Sequence, residues 1–589
     1  MIRGQTYFAV DPDTLSVADL LLHYLEIEGI TNVFGVPGVA LSYVLNGLKN
    51  RQDRVTYHIC RHETGAAYMA DGYSRVTGKL GVVLVSSGPG ATNALTGSAV
   101  AQSCGSSVLV VSGEVVQSAF GRGGFQEGID STLNIDAIYR NADHFSAVIT
   151  HPSNSQTLFA QALRTALSLP RRATHISLPQ DVGGQNLPAG TRVPASPRNY
   201  RTVPASTDRP AAKRVVEILA QAQKPLLFLG NGCRDALLPT TGRDGASRAA
   251  IAARSAGLQR LVEKFFVPVM TSPNGKGIFP EGHALSLRNY GFGGSDWSSA
   301  YIGAKPPTTD PLTYDALIVL GSTLGQKTTN NWDEALLPHG PFVQVDLDQG
   351  VIGRAFPIEQ GVVAELGLFI DDLVRAGEHV KPNEPLIDQR RKMLHLLKSQ
   401  PPAPPSNAVE SELARAVSDL LPAGAQVFID ATVCGLASLR YMTIDPPSQI
   451  HNAFVMEPMG WAPAAVIGAA IGAPQSICIS ISGDGGFLMN GNEVSTAARH
   501  NIGAVWVILY NNNLAVVERL LQQEFGGTGW KGLYQLGAPR LVDIASGLGA
   551  DAVEVQSINA FPTAFATALA NAQSKKRPQV VVVDIASPT

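Results

Sequence analysis

Cysteine is scarce in this chain: there are five in 589 residues, Cys60, Cys104, Cys233, Cys434 and Cys478, odd in number and with no CxxC pair. That excludes a disulfide scaffold and a thiolate zinc framework, and it fits reduced thiols in the cytoplasm. Charge is thin as well, at 16% of residues, and the formal net charge is only −3, with lysine and arginine spread along the chain. Lacking a basic patch, the chain has no electrostatic footprint for nucleic acid. No apolar run reaches spanning length free of glycine, asparagine or charge, so no membrane segment is expected. The opening MIRGQTYFAVDPDTLSVADLL lacks the basic-then-apolar order of a secretory signal, which also points to the cytoplasm.

What the chain does have is core: 45% of its residues are hydrophobic. Its length is too great for one core, so several domains are expected. Helical periodicity in SVADLLLHYLEIEGI and HETGAAYMADGYSRV alternates with short β-rich runs such as VFGV, LGVVLV and SVLVVSG, which implies parallel sheet between helices. Two stretches break the alternation with proline and small polar residues, 183–210 and 398–408, and read as linkers. Between them KPLLFLG, VPVMTS, ALIVLG and FVQVDLD form a further α/β block, and QVFIDA, ICISIS, AVWVILY and PQVVVVDIA form another. The expected fold is therefore α/β, three doubly wound parallel-sheet domains over 1–190, 208–375 and 405–589.

Chemistry is densest in the last block. ICISIS ends on Gly483-Asp484-Gly485-Gly486, FLMNGNEVSTAARH reads as a helix, and AVWVILY then ends on Asn511-Asn512-Asn513. Strand ends of a parallel sheet share one edge, where ligands bind. The glycines let backbone amides approach a phosphate, and a carboxylate, an amide oxygen and a backbone carbonyl from neighbouring strand ends make an oxygen-only half-cage suited to Mg²⁺. Taken alone, GDG is also an ordinary turn and an asparagine run an ordinary loop.

Taken together, this spacing resembles the signature of thiamine-diphosphate enzymes, in the branch of acetolactate synthase and pyruvate oxidase. The resemblance implies Asp484, Asn511 and Asn513 as metal ligands, with Gly485 and Gly486 facing the diphosphate. RHETGAAYMADGYSR resembles the helix carrying the activating glutamate, which makes Glu63 the expected catalytic carboxyl, in an apolar setting that disfavours its charged form. SSGPGATN resembles the loop beside the aminopyrimidine, with Pro89 and Asn93 on it. FGVPG, containing Val36 and Pro37, and GFQEG, containing Phe125 and Gln126, resemble substrate-side loops. EPMGWAPAAVIG resembles the support of the bent cofactor, through Glu457 and Met459.

The function this implies is a decarboxylase and carboligase that takes an acyl unit from a 2-oxo acid and transfers it to a second carbonyl compound. Val36, Val39, Phe125 and Leu520 are the expected pocket walls, with Gln126 as the polar, catalytic group. Val39 stands where the synthases commonly have glycine and Leu520 where the biosynthetic enzyme has tryptophan, so a different acceptor or a more open pocket is expected. The same motifs also serve a lyase acting on a 2-hydroxy ketone or 2-hydroxyacyl thioester, and the scaffold would serve a non-catalytic phosphate-binding protein. FAD is a further cofactor that some relatives hold in the middle domain. Gly230, Gly232, Lys276 and Asp348 lie on the corresponding strand ends, but LGSTLGQKTTNNW lacks the arginine many flavin-binding members have. In the enzymes it resembles, the two domains that grip the cofactor come from different subunits, so the resemblance implies a homodimer or homotetramer.

Overall fold

The structure is a computed structural model, in which residues 7–9, 15–130, 132–202, 206–303, 314–399, 408–526 and 531–585 are described. They form three sheets of six parallel strands, each flanked by helices, as expected. The first sheet runs Thr56–Ile59, Asn32–Gly35, Gly81–Val85, Val108–Glu114, Ala173–Pro179, Phe145–Val148. The third runs Gln449–Asn452, Gln426–Ile429, Cys478–Gly483, Val505–Tyr510, Gln579–Asp584, Asp551–Val555. Counted along the chain, both orders are 2-1-3-4-6-5, so the outer domains share one topology. The middle sheet runs Ser286–Asn289, Val269–Thr271, Pro225–Leu229, Ala316–Leu320, Phe342–Asp346, Gln360–Val363, which is 3-2-1-4-5-6, the order of dinucleotide-binding sheets. Central strands such as GVVLV are buried at every residue because helices cover both faces.

The outer domains are joined by equivalent helices. Glu63–Thr77 and Trp461–Gly472 each follow the second strand of their own sheet, and they cross with glycine at the contact. A Cβ on Gly72 would lie 2.0 Å from the Ala465 carbonyl oxygen, and one on Gly468 would lie 1.8 Å from that of Met69. Only glycine permits so close a backbone approach. The buried Asp71 fastens the pair: it accepts from Trp461 Nε1 at 2.8 Å and from Arg75 Nε at 3.0 Å.

Two expectations change. The stretch 183–210 is not only a linker, because Arg192–Pro194 pairs antiparallel with Tyr7–Ala9. The expected helix after the glycines begins at Asp484 and is broken, running Asp484–Asn490, a turn of 3-10 helix, and then Val494–Arg499. Most of the second proline-rich stretch, 400–407, lies outside the described residues.

Candidate active site

Cys478–Gly483 and Val505–Tyr510 are adjacent and in register, with Gly483 opposite Leu509. The chain therefore delivers Asp484 and Asn511 side by side at one sheet edge. Asp484 is 2% exposed. Its Oδ1 accepts from Gly485 N at 2.8 Å, and its Oδ2 from Asn511 N at 3.1 Å and Asn513 N at 3.3 Å. Burial pushes this carboxyl up from its ordinary range, while the amides of Gly485 and Asn511 to Asn513 pull it back. Beside it, Asn511 Oδ1 and Asn513 Oδ1 are buried with no hydrogen-bond partner. Buried acceptors without donors are costly, and a cation would satisfy them. The donor set is carboxylate and amide oxygen, which fits a hard ion such as Mg²⁺.

The glycines beside this carboxylate face different things. A Cβ on Gly486 would lie 2.1 Å from Asp430 Oδ2, and one on Gly485 would meet Met459 Cε at 3.0 Å and Leu514 Cδ2 at 2.8 Å. Met459, half-buried, thus lies against the GDG turn. Asp430, which motif reading missed, accepts from Gly460 N and Ala462 N at 2.8 and 3.1 Å and fixes the start of Trp461–Gly472. Burial pushes its carboxyl up to about 6 despite those donors. Glu457 has φ +55° and lies 3.6 Å from Lys327 Nζ.

The first-domain motifs meet at the carboxyl ends of three neighbouring strands. A Cβ on Gly38 would strike Ser86 at 2.4 Å, one on Gly113 would strike Ala40 at 2.7 Å, and one on Gly88, itself at φ +54°, would lie 3.1 Å from the Gln126 carbonyl oxygen. FGVPG, SSGPG and GFQEG are thus packed against one another. Glu63 begins its helix, and its Oε2 accepts from Asn93 Nδ2 at 3.0 Å while Oε1 lies near Gly90. The expected apolar enclosure is not found in the single chain: Glu63 is half-buried and has an amide donor. Another residue that sequence reasoning missed, Glu493, is buried and accepts from Arg61 N and His62 N at 3.0 and 2.9 Å, which docks this helix start on the third domain.

The expected pocket walls do not close within one chain. Val39 is 81%, Phe125 86% and Leu520 52% exposed, Pro37 and Pro89 are exposed, and Val36 and Gln126 are half-buried. The middle-domain residues Gly232 and Asp348 line a cavity of about 460 Å³ where the three domains meet, with Arg75 and Arg172 of the first domain and His451 of the third also on its wall. Lys276 does not belong with them. It is fully buried, and its Nζ donates to both Glu281 oxygens at 2.7 Å.

Comparison with known proteins agrees with this geometry. Residues 15–133 match the thiamine pyrophosphate enzyme N-terminal TPP binding domain, 245–373 the central domain, and 430–585 the C-terminal TPP binding domain. A putative acetolactate synthase large subunit, IlvB2, of Mycobacterium tuberculosis is 30% identical over 92% of this chain and 93% of its own length. The acetolactate synthase large subunit of Parasynechococcus marenigrum is 28% identical over 92% and 84%. The probable 2-ketoarginine decarboxylase AruI of Pseudomonas aeruginosa is 28% identical over 85% and 82%. Sheet topology, strand-end chemistry and these matches make the chain a member of the thiamine pyrophosphate enzyme family, an enzyme of the acetolactate synthase branch.

Proposed function

We propose that this enzyme is a thiamine-diphosphate- and Mg²⁺-dependent 2-oxo acid decarboxylase that passes the acyl unit to a second carbonyl compound. The observation that carries the reading is the side-chain oxygen of Asn511, buried without a partner beside the buried Asp484. Asp484, the Asn511 side chain and the Asn513 backbone oxygen would hold the ion, with Gly485 and Gly486 beside the diphosphate. Pro37, Glu63, Pro89, Asn93, Glu457 and Met459 would hold the rest of the cofactor. The division of labour proposed is pyrimidine end on 1–190, diphosphate end on 405–589, and 208–375 between them.

When bound, thiamine diphosphate supplies the carbon nucleophile and electron sink that 2-oxo acid chemistry requires. The chain's own part begins at Glu63. With Oε2 occupied by the Asn93 amide, Oε1 is the oxygen that holds and releases a proton. Val36, Val39, Phe125 and Leu520 would exclude water around the substrate, and a dry pocket disfavours a carboxylate relative to departing CO₂. Gln126 would orient the carbonyl by hydrogen bonding. The relative named as a 2-ketoarginine decarboxylase supports decarboxylation as the first half of the reaction, and those named acetolactate synthase support carboligation as the second.

Enzyme-class membership removes the non-catalytic alternative, and the lyase reading becomes an outcome of the test. CO₂ release from a panel of 2-oxo acids, with and without Mg²⁺ and thiamine diphosphate, should depend on both cofactors. Release that ignores them, or silence on the whole panel with cleavage of 2-hydroxy ketones or 2-hydroxyacyl thioesters instead, overturns the proposal.

A second reading concerns FAD. It is favoured by the 3-2-1-4-5-6 strand order and by the cavity at its switch point, lined by Asn231, Gly232, Arg234, Ser322 and Asp348. Against flavin, Thr323 follows Leu320-Gly321-Ser322 where many flavin-binding members have arginine, and Asp348 is engaged by Arg172 at 2.8 Å. The purified protein's visible spectrum decides it: flavin bands would support this reading and their absence would overturn it. Assembly as a homodimer or homotetramer is supported by the exposed apolar side chains Val39, Phe125, Met489, Val516 and Leu520 at the two half-sites. A cytoplasmic location is supported by five free, buried cysteines. No helix among the described residues is long and apolar enough to cross a membrane.

A further inference from the structure

The segment that carries Phe125 and Gln126 has no helix or strand between Gly121 and Gly128. Its amides are held by two buried carboxylates. Glu127 folds the segment on itself, its Oε1 accepting from Gly121 N at 2.5 Å and its Oε2 from Gly124 N at 2.9 Å. Glu114, the last residue of Val108–Glu114 and 0% exposed, ties the segment to the sheet. Its Oε1 accepts from Val115 N at 2.8 Å and Gly128 N at 3.0 Å. Glu114 Oε2 is buried without a hydrogen-bond partner, and a Cβ on Gly128 would lie 2.6 Å from it. Between these anchors Gln126 is held at φ +62°, a conformation that non-glycine residues adopt only when their surroundings impose it. Its carbonyl rests on Gly88, beside the start of the helix that bears Asn93.

We propose that Glu114 and Glu127 are positioning residues for the substrate loop, fixing the strained turn that presents Phe125 and Gln126 to the 2-oxo acid. An acid buried for packing alone would be replaced by an apolar residue at little cost, whereas here two carboxylates supply acceptors that no sheet or helix ladder supplies. Burial pushes the Glu114 carboxyl up, the Gly128 and Val115 amides pull it back, and the neighbouring Glu127 pushes it up further. What keeps an acid here is geometry: its Oε1 accepts the Val115 and Gly128 amides that anchor the turn.

The inference rests on the proposed function in one respect, that Gln126 meets substrate. Its test reads the loop and the reaction separately in the holoenzyme. Glu114→Ala should raise the KM for the 2-oxo acid by about tenfold or more, the loss of a charge-assisted hydrogen bond. It should leave thiamine diphosphate affinity within about twofold and should speed amide hydrogen exchange across 121–128. Glu114→Gln, which keeps the accepting oxygen, should restore both KM and protection. Gly128→Ala attacks the same contact from the other side and should reproduce the effect even if Glu114→Ala fails to fold. Unchanged exchange and unchanged KM in Glu114→Ala and Gly128→Ala would overturn the proposal. So would equal losses of cofactor affinity and substrate affinity, which mark a general structural role. A wild-type enzyme silent on every 2-oxo acid, with the loop still loosened by Glu114→Ala, would sink the proposed reaction and leave the positioning role standing.

Discussion

A carboxylate buried among amide donors, with two acceptor oxygens beside it left without partners, offers oxygen donors that a hard cation would satisfy. Asp484, Asn511 and Asn513 have that arrangement. Asn511→Ala should weaken thiamine diphosphate binding in Mg²⁺ by more than about tenfold and leave binding in EDTA unchanged, as read by tryptophan fluorescence titration. Away from the site, Asp143 gives a pH signature. It is buried, its Oδ2 accepts from Ser98 Oγ at 2.7 Å, Oδ1 has no partner, and burial pushes the carboxyl up to about 7. Because the folded value lies above the unfolded one, the fold favours the protonated acid. That contribution is full below about pH 4 and is lost as pH rises through about 7. Asp143→Asn should therefore raise the urea midpoint at pH 8 and change it little at pH 4. The GDGG and NNN residues were legible because the chemistry sits in consecutive letters. Asp430 and Glu493 were not, since each is a lone acid whose partners, Gly460 and Arg61, are distant in the chain and become neighbours only by packing.

Between elements, the crossing of Glu63–Thr77 over Trp461–Gly472 is the tightest test of the architecture. Gly468→Ala would put a methyl carbon 1.8 Å from the Met69 carbonyl oxygen, a backbone atom that cannot swing aside. Overpacking of this kind costs about 1–3 kcal/mol or more, so Tm should fall by several degrees, and cofactor affinity with it, because Glu63 heads the displaced helix. Central strands such as Gly81–Val85 and Val505–Tyr510 were readable as apolar runs. Ala173–Pro179 was not. It is a buried interior strand, but His175 within it bonds to Ser112 Oγ and Ser146 Oγ, both at 2.8 Å, and those polar letters interrupt the pattern. The edge strands Thr56–Ile59 and Asp551–Val555 are partly exposed and carry polar residues for that reason. The antiparallel pair of Tyr7–Ala9 with Arg192–Pro194 is a contact between distant segments that local pattern does not encode.

On the scale of the whole molecule, the division into three α/β domains was visible because proline-rich stretches separate blocks of apolar strands. Strand order was not visible, since it depends on which crossovers skip a neighbour. The single chain leaves Val39, Phe125 and Leu520 in solvent, where a buried pocket should have walls. A second copy covering them would make specific activity fall on dilution, in step with dissociation seen by analytical ultracentrifugation. Constant activity in a monodisperse monomer would contradict assembly at this site. The role proposed for Glu63 is to act on a cofactor whose metal and diphosphate lie on Asp484 and Asn511. It is tested most directly by hydrogen–deuterium exchange at C2 of thiamine diphosphate bound to the Glu63→Gln enzyme in Mg²⁺. Exchange should slow by about a hundredfold or more, the scale of lost acid–base catalysis, with the cofactor still bound. Exchange at the wild-type rate would contradict it.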